Sequence, residues 1–532
     1  MLTLTLEQKI GQMLLIGYPG GAEGEAILRR VLEGRPMGNL ILFARNAGEP
    51  SALQEQLSSL RALIEERTCV PPLVAIDQEG GIVVRLNEGL TPLPGAMSIA
   101  AALGGGGITL ADVETLASVA GSELRSLGID WNLAPVADVN VNPDNPVIGV
   151  RSFGEDPSRV ADLVSAYARG LHRSGVVATA KHFPGHGDTN VDSHLGLPTV
   201  SATLERLDSV ELLPFRRLIA EDVGSIMTAH VLFPAVEPGP VPATLSHRVL
   251  TGLLRERLGY RGVIVTDCLE MKAVDGRYED LAVRAVLAGA DVLCISHTAS
   301  KQEAAFDSLL AAVRGGVIPE SRIDESVARV LALKQATAAS TKTVPAVALA
   351  AASSVELAAR ISAASISQLS ATAFPDLSRG GLYVDLKPAT LTGAEDRRIE
   401  SATVSGVLAE TGSALECVVL PCDPDDQAIE ALVGRIGTVP VIVSVYAMSR
   451  YPGQERLVRR MTAACAVKGV PLAFISMREP YDARIIARSG GGKHAVLCAY
   501  EYTNLSARAM ARVLAGTATI RGSCPVRVTA PI

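Results

Sequence analysis

Eight short apolar runs recur over residues 1 to about 334, each followed by a polar or Gly-rich loop and then a helical stretch. They are Met13–Ile16, Leu40–Phe43, Leu73–Ile76, Trp131–Val136, Val176–Thr179, Ser225–Thr228, Val263–Thr266 and Val292–Ile295. Amphipathic stretches such as Val160–Leu171 and Leu281–Ala288 lie between them. Eight strands alternating with helices over some 330 residues suit a (β/α)8, TIM-like barrel better than an open doubly wound sheet. The amphipathic run Ser321–Lys334 is expected to close the barrel as its last helix.

A chain of 532 residues is too long for one core. The small and polar residues from Gln335 to Thr343 read as a linker, set at 335–346, which divides residues 1–334 from a second unit, 347–532. Five further strand candidates, at 381–386, 415–420, 439–446, 472–477 and 495–500, predict a smaller three-layer α/β sandwich with a mostly parallel sheet. Gly104–Gly107 and Gly490–Gly492 lack the strand–GxGxxG–helix context of a dinucleotide site and read as loops.

With 49 basic and 56 acidic residues the formal charge is −7, and no Lys/Arg cluster stands out, so neither nucleic acid nor an anionic membrane is expected as a partner. No apolar run reaches the roughly 20 residues of a membrane span. The first residues lack the features of a secretion signal. Eight scattered cysteines without a CxxC pair read as small buried hydrophobes of a reducing compartment, and the cytoplasm is the expected location.

The chemistry concentrates where strands run out. Asp77, Asp138, Lys181/His182, His230, Asp267 and His297 all follow apolar runs, and the catalytic face of a barrel is its C-terminal rim. Each alone could be a helix cap. Six together point to a site. The densest stretch is Lys181 to His194, which carries three of the chain's eight histidines with Asp188 and Asp192. In Asp192-Ser193-His194 the aspartate can fix one ring nitrogen and favour the imidazolium, leaving the other nitrogen to move a proton near neutral pH. Asp267 at a strand end can attack an electrophilic carbon. Asp77 with Arg85 and Arg151 supplies the paired acceptors and planar donors that hydroxyl-rich ligands require, and Lys181 and His182 could add donors.

Several of these motifs, in this order, resemble glycoside hydrolase family 3 β-N-acetylglucosaminidases in their bacterial two-domain form. They are Asp77-Gln78-Glu79-Gly80-Gly81 with Arg85, the Asn145–Gly154 run, and Lys181-His182-Phe183-Pro184-Gly185-His186-Gly187-Asp188-Thr189 with Asp192-Ser193-His194. Met227-Thr228-Ala229-His230 and Thr266-Asp267 with Leu269-Glu270-Met271 complete the set. The resemblance implies retaining hydrolysis of a terminal β-linked N-acetylglucosamine in a peptidoglycan (muropeptide) or chitin fragment, without cofactor or metal. It implies Asp267 as nucleophile, His194 with Asp192 as acid/base, and Asp77, Arg85, Arg151, Lys181 and His182 around the sugar. Retaining glycosidases usually employ two carboxylates, and here an Asp–His pair replaces one. Cys268, after the nucleophile, departs from the family's usual acidic or apolar residue.

Three other readings compete. A phosphorylase of the same family would let phosphate replace water, which a histidine does not repel as a glutamate does. A metal-dependent hydrolase would draw on His182, His186, Asp188, Asp192 and His194, whose spacing fits no familiar metal motif. A catalytically silent sugar-binding protein would not need Asp267 and the Asp192–His194 pair. With the whole motif loop before Lys334, a fragment cut there could retain activity if it folds, and the role of the second unit is left open.

Overall fold

The computed structural model describes residues 3–341, 348–395, 403–490 and 493–528. Eight parallel strands form the first unit: β1 (Leu14–Ile16), β2 (Asn39–Leu42), β3 (Leu73–Ile76), β4 (Trp131–Asn132), β5 (Val177–Phe183), β6 (Ser225–Thr228), β7 (Val263–Val265) and β8 (Leu293–Ile295). They hydrogen-bond in the order β8-β1-β2-β3-β4-β5-β6-β7. A parallel bridge between Val265 and Val292 brings the two ends together. All eight strands read from the sequence are present.

Side chains alternate between the two faces of this ring, as the strand period of two requires. Leu15, Ile41, Leu73, Ala75, Trp131 and Val265 fill the interior. Their neighbours Leu14, Ile16, Leu40, Leu42, Val74 and Ile76 pack outward into the cluster shared with the surrounding helices. Burial on both faces is why each strand is apolar at consecutive positions.

Helix Glu320–Thr341 sends Val330 and Leu333 into the barrel interior. Residues 335–341, which the sequence suggests as the start of a linker, prolong this helix. Their alanines and glutamine are good helix formers, and that preference carries the turn onward. Residues 342–346 of the expected linker lie outside the described residues.

The second unit holds β9 (Ser367–Gln368), β10 (Gly381–Leu386), β11 (Leu415–Leu420), β12 (Val441–Val445), β13 (Leu472–Ser476) and β14 (Ala495–Cys498). Their order is β9-β14-β13-β12-β10-β11. All pairs are parallel except β9 on β14. The five parallel strands are those read from the sequence. Two-residue β9 is too short to show a period. The parallel order reverses between β10 and β12.

The carboxyl edge of this sheet faces the barrel's catalytic rim. Glu501, beyond β14, accepts the Gly95 N–H at 2.6 Å. Tyr481, beyond β13, receives the Asn140 amide at 2.9 Å. Arg450, beyond β12, donates to the Pro146 carbonyl at 2.9 Å, and Ala394, beyond β10, accepts from Arg85 at 2.9 Å. Helix Ala352–Ser365 ties the units further, because Ala358 and Ile361 belong to the barrel's outer core. Among the described residues, no helix is long and apolar enough to cross a membrane.

Candidate active site

A cavity of about 530 Å³ opens at the barrel rim. Asp77, Arg85, Arg151, Lys181, His182, His194 and Asp267 all line it, and Asp192 stands behind His194.

On one wall the charged groups form a closed network. Lys181, at the inner end of β5, places Nζ 2.8 Å from Asp77 Oδ1 and 2.6 Å from Glu79 Oε1. Arg151 grips Glu79 with two bonds, Nε to Oε2 at 2.9 Å and Nη2 to Oε1 at 2.8 Å. Arg85 Nη2 lies 3.5 Å from Asp77 Oδ2. Three cations against two carboxylates leave this wall with a net +1, so it suits an oxygen-rich ligand. Burial opposes ionisation of both acids. Lys181 and Arg85 nevertheless hold Asp77 below its ordinary range, and Arg151 and Lys181 do the same for Glu79. Glu79 has no place among the residues singled out from the sequence. The one signal in the sequence is its place in the Asp77-Gln78-Glu79-Gly80-Gly81 run, two residues after Asp77, since the cations that pair with it come from other strand ends.

The loop after β5 is organised by Asp138. Its buried carboxylate accepts the backbone N–H of His186 at 2.6 Å and meets His182 Nδ1 at 2.8 Å. Asp138 therefore turns the His182 ring, which lines the cavity. His186 is enclosed, with Nδ1 2.8 Å from Thr189 Oγ1 and Nε2 3.1 Å from Ser193 Oγ. Burial pushes its pKa down to about 4, so it is neutral and shapes the loop. With both its nitrogens engaged, the histidines and acids of this loop do not converge as a ligand set. Among the described residues, no group of three or more His, Cys, Asp or Glu side chains could hold a metal ion.

Asp192 and His194 form a tight local turn. Oδ1 of Asp192 accepts the His194 backbone N–H at 2.9 Å and meets its Nδ1 at 2.8 Å. Asp192 is the more hidden partner, with a side chain 7% exposed against 32% for His194. Burial lowers the His194 pKa, but the Asp192 hydrogen bond and the charges of Asp192 and Asp267 outweigh it and raise the net value. Nε2, which Asp192 does not hold, is left for the cavity.

Asp267 follows β7 and accepts the N–H of Cys268 at 2.7 Å. Burial works against its charge, while His230, His182, His194 and that N–H together hold its pKa down. His230 buttresses the segment from behind, its Nε2 3.0 Å from the Cys268 carbonyl. Cys268 itself lines the cavity and receives the Ser296 hydroxyl at 2.9 Å.

The cavity wall is not confined to the barrel. Gly393, Ala394 and Glu395 of the second unit line it. The signature loop lies wholly in the barrel, and the second unit adds to the cavity wall because the two carboxyl edges dock. A backbone carbonyl 309 residues away in sequence from Arg85 leaves no local pattern to read.

Comparison with known proteins agrees with this geometry. The model described as the glycosyl hydrolase family 3 N terminal domain matches residues 5–333. The chain is 31% identical to "Beta-hexosaminidase A" of Pseudoalteromonas piscicida over 99% of its own length and 97% of that protein's. It is 39% identical to a "Beta-hexosaminidase" of Methylococcus capsulatus over 51% of this chain and 79% of that one. Among solved structures, a glycoside hydrolase family 3 β-N-acetylglucosaminidase from Paenibacillus sp. str. FPU-7 superposes with a TM-score of 0.90 at 40% identity, covering 100% of both chains.

Proposed function

This chain belongs to glycosyl hydrolase family 3, and from that premise we propose that it is a retaining, exo-acting β-hexosaminidase that removes terminal β-linked N-acetylglucosamine from peptidoglycan or chitin fragments. One observation carries the mechanism. A carboxylate held anionic, Asp267, shares a cavity with an imidazole whose Nδ1 is fixed by Asp192 at 2.8 Å.

In the first step Asp267 attacks the anomeric carbon while Nε2–H of His194 gives its proton to the leaving oxygen. The glycosidic bond breaks and a glycosyl ester forms on Asp267. In the second step neutral His194 takes a proton from water, the water oxygen attacks the same carbon, and the ester bond to Asp267 breaks. Two inversions return the original configuration. Asp192 stabilises the imidazolium needed at the start, and the fixed distance between nucleophile and sugar removes the entropy of encounter. Asp77, Glu79, Arg151, Lys181 and Arg85 form the wall that would hold the sugar hydroxyls, and His182, turned by Asp138, adds a further polar contact. A cavity of this size, with the second unit across its mouth, suits a single terminal sugar.

The test is hydrolysis of an aryl β-N-acetylglucosaminide beside the plain β-glucoside, with and without inorganic phosphate. A sugar adduct on Asp267, found by peptide mass spectrometry after rapid quenching, is the expected intermediate. Asp267→Ala is expected to lower kcat by about 10³-fold or more. Near-normal turnover in that variant, or glycosyl phosphate as the product, overturns the corresponding step.

A further inference from the structure

The turn Leu391–Glu395 follows β10 of the second unit, lines the barrel-rim cavity with Gly393, Ala394 and Glu395, and packs against the barrel's acid/base histidine. Three contacts define what it does. An ideal Cβ on Gly393 would stand 3.0 Å from His194 Cδ2 and 3.3 Å from Cγ. Gly393 is not among the glycines with positive φ, so its backbone places no demand for glycine. A methyl there would sit tighter than ordinary packing allows, so the imidazole would have to give by a few tenths of an ångström.

Next along the turn, the Ala394 carbonyl accepts Nη1 of Arg85 at 2.9 Å. Nε of Arg85 is buried and has no hydrogen-bond partner among the described residues, which leaves a donor in the cavity wall.

The turn is then clasped from within. Glu395 accepts the backbone N–H groups of Leu391 and Thr392, each at 3.1 Å, and pairs with Arg478 Nη2 at 2.7 Å. Both side chains of this ion pair are buried. Arg478 also donates to the Tyr446 hydroxyl at 3.1 Å, and that hydroxyl donates to the Ala389 carbonyl at 3.0 Å. The ends of β12 and β13 therefore grip one short turn. A buried pair of this kind fixes geometry better than it adds stability, because its desolvation offsets much of its attraction.

We propose that Leu391–Glu395 is a positioning element for the reaction: Gly393 backs the His194 ring against Asp192, Ala394 aims the Arg85 guanidinium, and the Glu395–Arg478 pair holds both in place. The proposal rests on the reading of His194 as acid/base. It makes the second unit part of the catalytic geometry without contributing a group that touches the reacting atoms.

The experiment uses the full chain with Gly393→Ala, Gly393→Val and Arg478→Met, each checked for an unaltered melting transition. The first readout needs no substrate: the NMR titration of the His194 ring, assigned by its loss in His194→Gln. The charged groups facing that ring are Asp192, Asp267 and Arg151. Gly393→Ala is expected to tilt the ring out of line with Asp192 and shift its midpoint downward, toward that of Asp192→Asn, with Gly393→Val shifting it further. The second readout is kcat/KM, which reports the first step alone, for two β-N-acetylglucosaminides, one with a dinitrophenol leaving group and one with an unactivated alcohol. About a tenfold loss on the unactivated substrate is expected, with little change on the activated one, because only the poor leaving group needs the proton. An unmoved His194 midpoint in folded Gly393→Ala and Gly393→Val overturns the proposal, as does an equal loss on both substrates. Should the midpoint move while the parent enzyme hydrolyses neither glycoside, the positioning role stands and the assigned reaction falls.

Discussion

The division of labour proposed for Asp267 and His194 rests on their surroundings. Asp267 sits among histidines and a backbone N–H that favour its anion, while His194 sits against a carboxylate that favours its cation. Environments that separate two titrations in this way assign one group as nucleophile and the other as acid. The sign of the pH dependence follows. The first step needs protonated His194, so kcat/KM should fall as pH rises through a value above the ordinary histidine range near 6.5. Asp192→Asn removes the support and should move that alkaline limb to lower pH, and an unmoved limb in the measured profile would exclude His194 as the acid. Cys268 offers a second measurement. Hydrogen bonds from Cys294 and Ser296 hold its thiol below the usual cysteine range despite burial, and it faces the cavity. Of the eight cysteines it should react fastest with iodoacetamide, and N-acetylglucosamine should slow that reaction. Peptide mapping with and without the sugar reads both. At this scale the sequence is legible where partners are neighbours: Asp192 and His194 are two residues apart and can be paired by eye. Glu79 goes unassigned because its partners Arg151 and Lys181 come from other strand ends.

The strands are legible for a physical reason. In a parallel ring covered by helices each strand is buried on both sides, so it appears as an unbroken apolar run between polar loops. Helix ends are harder, and the last barrel helix shows why: nothing in Gln335-Ala336-Thr337-Ala338-Ala339 stops a helix, and composition alone makes it resemble a tether. That same helix carries an unusual buried amine. Lys334 is 7% exposed and donates to Gln12 Oε1 at 2.6 Å and to the Gly38 carbonyl at 3.1 Å, both uncharged acceptors. Burial lowers its pKa to about 7. An amine depressed from 10.5 to about 7 binds fewer protons folded than unfolded across that window, so stability should rise with pH from about 7 toward 10. The slope from one such group is at most about 1.4 kcal/mol for each pH unit. Denaturant unfolding at several pH values should show the rise in the parent and a flatter line in Lys334→Met. Equal slopes would mean that the amine keeps its charge in the folded state.

At the scale of the molecule, the feature that sequence reading could not supply is the meeting of the two carboxyl edges, because each contact joins backbone or side-chain groups hundreds of residues apart. Glu501 is the clearest case. Its carboxylate reaches the N–H of Gly95, at the start of helix Ala96–Gly104. A Cβ on Gly81 or Gly95 would stand 2.7 Å from Glu501 Oε2. Gly81 also has φ of +60°, so both its conformation and the approaching acid favour glycine in the Glu79-Gly80-Gly81 run. Burial raises the Glu501 pKa to about 7, only partly offset by the Gly95 N–H and the Thr503 hydroxyl. An acid raised from 4.5 to about 7 on folding contributes stability that is full below pH 4.5 and lost as pH climbs through 7. Docking of the second unit should therefore weaken between about pH 5 and pH 8, by up to about 3 kcal/mol for an acid whose folded and unfolded pKa values differ this much. Asp482, whose pKa burial and the Glu479 charge also raise to about 7, is held by Met448 and Ser476 inside the second unit and adds a parallel slope to that unit's own stability. Glu501→Gln keeps an acceptor for Gly95 while removing the charge, so it should melt higher than the parent at pH 8 and level with it at pH 5. Melting curves offset equally at both pH values would show that Glu501 does not titrate at the interface.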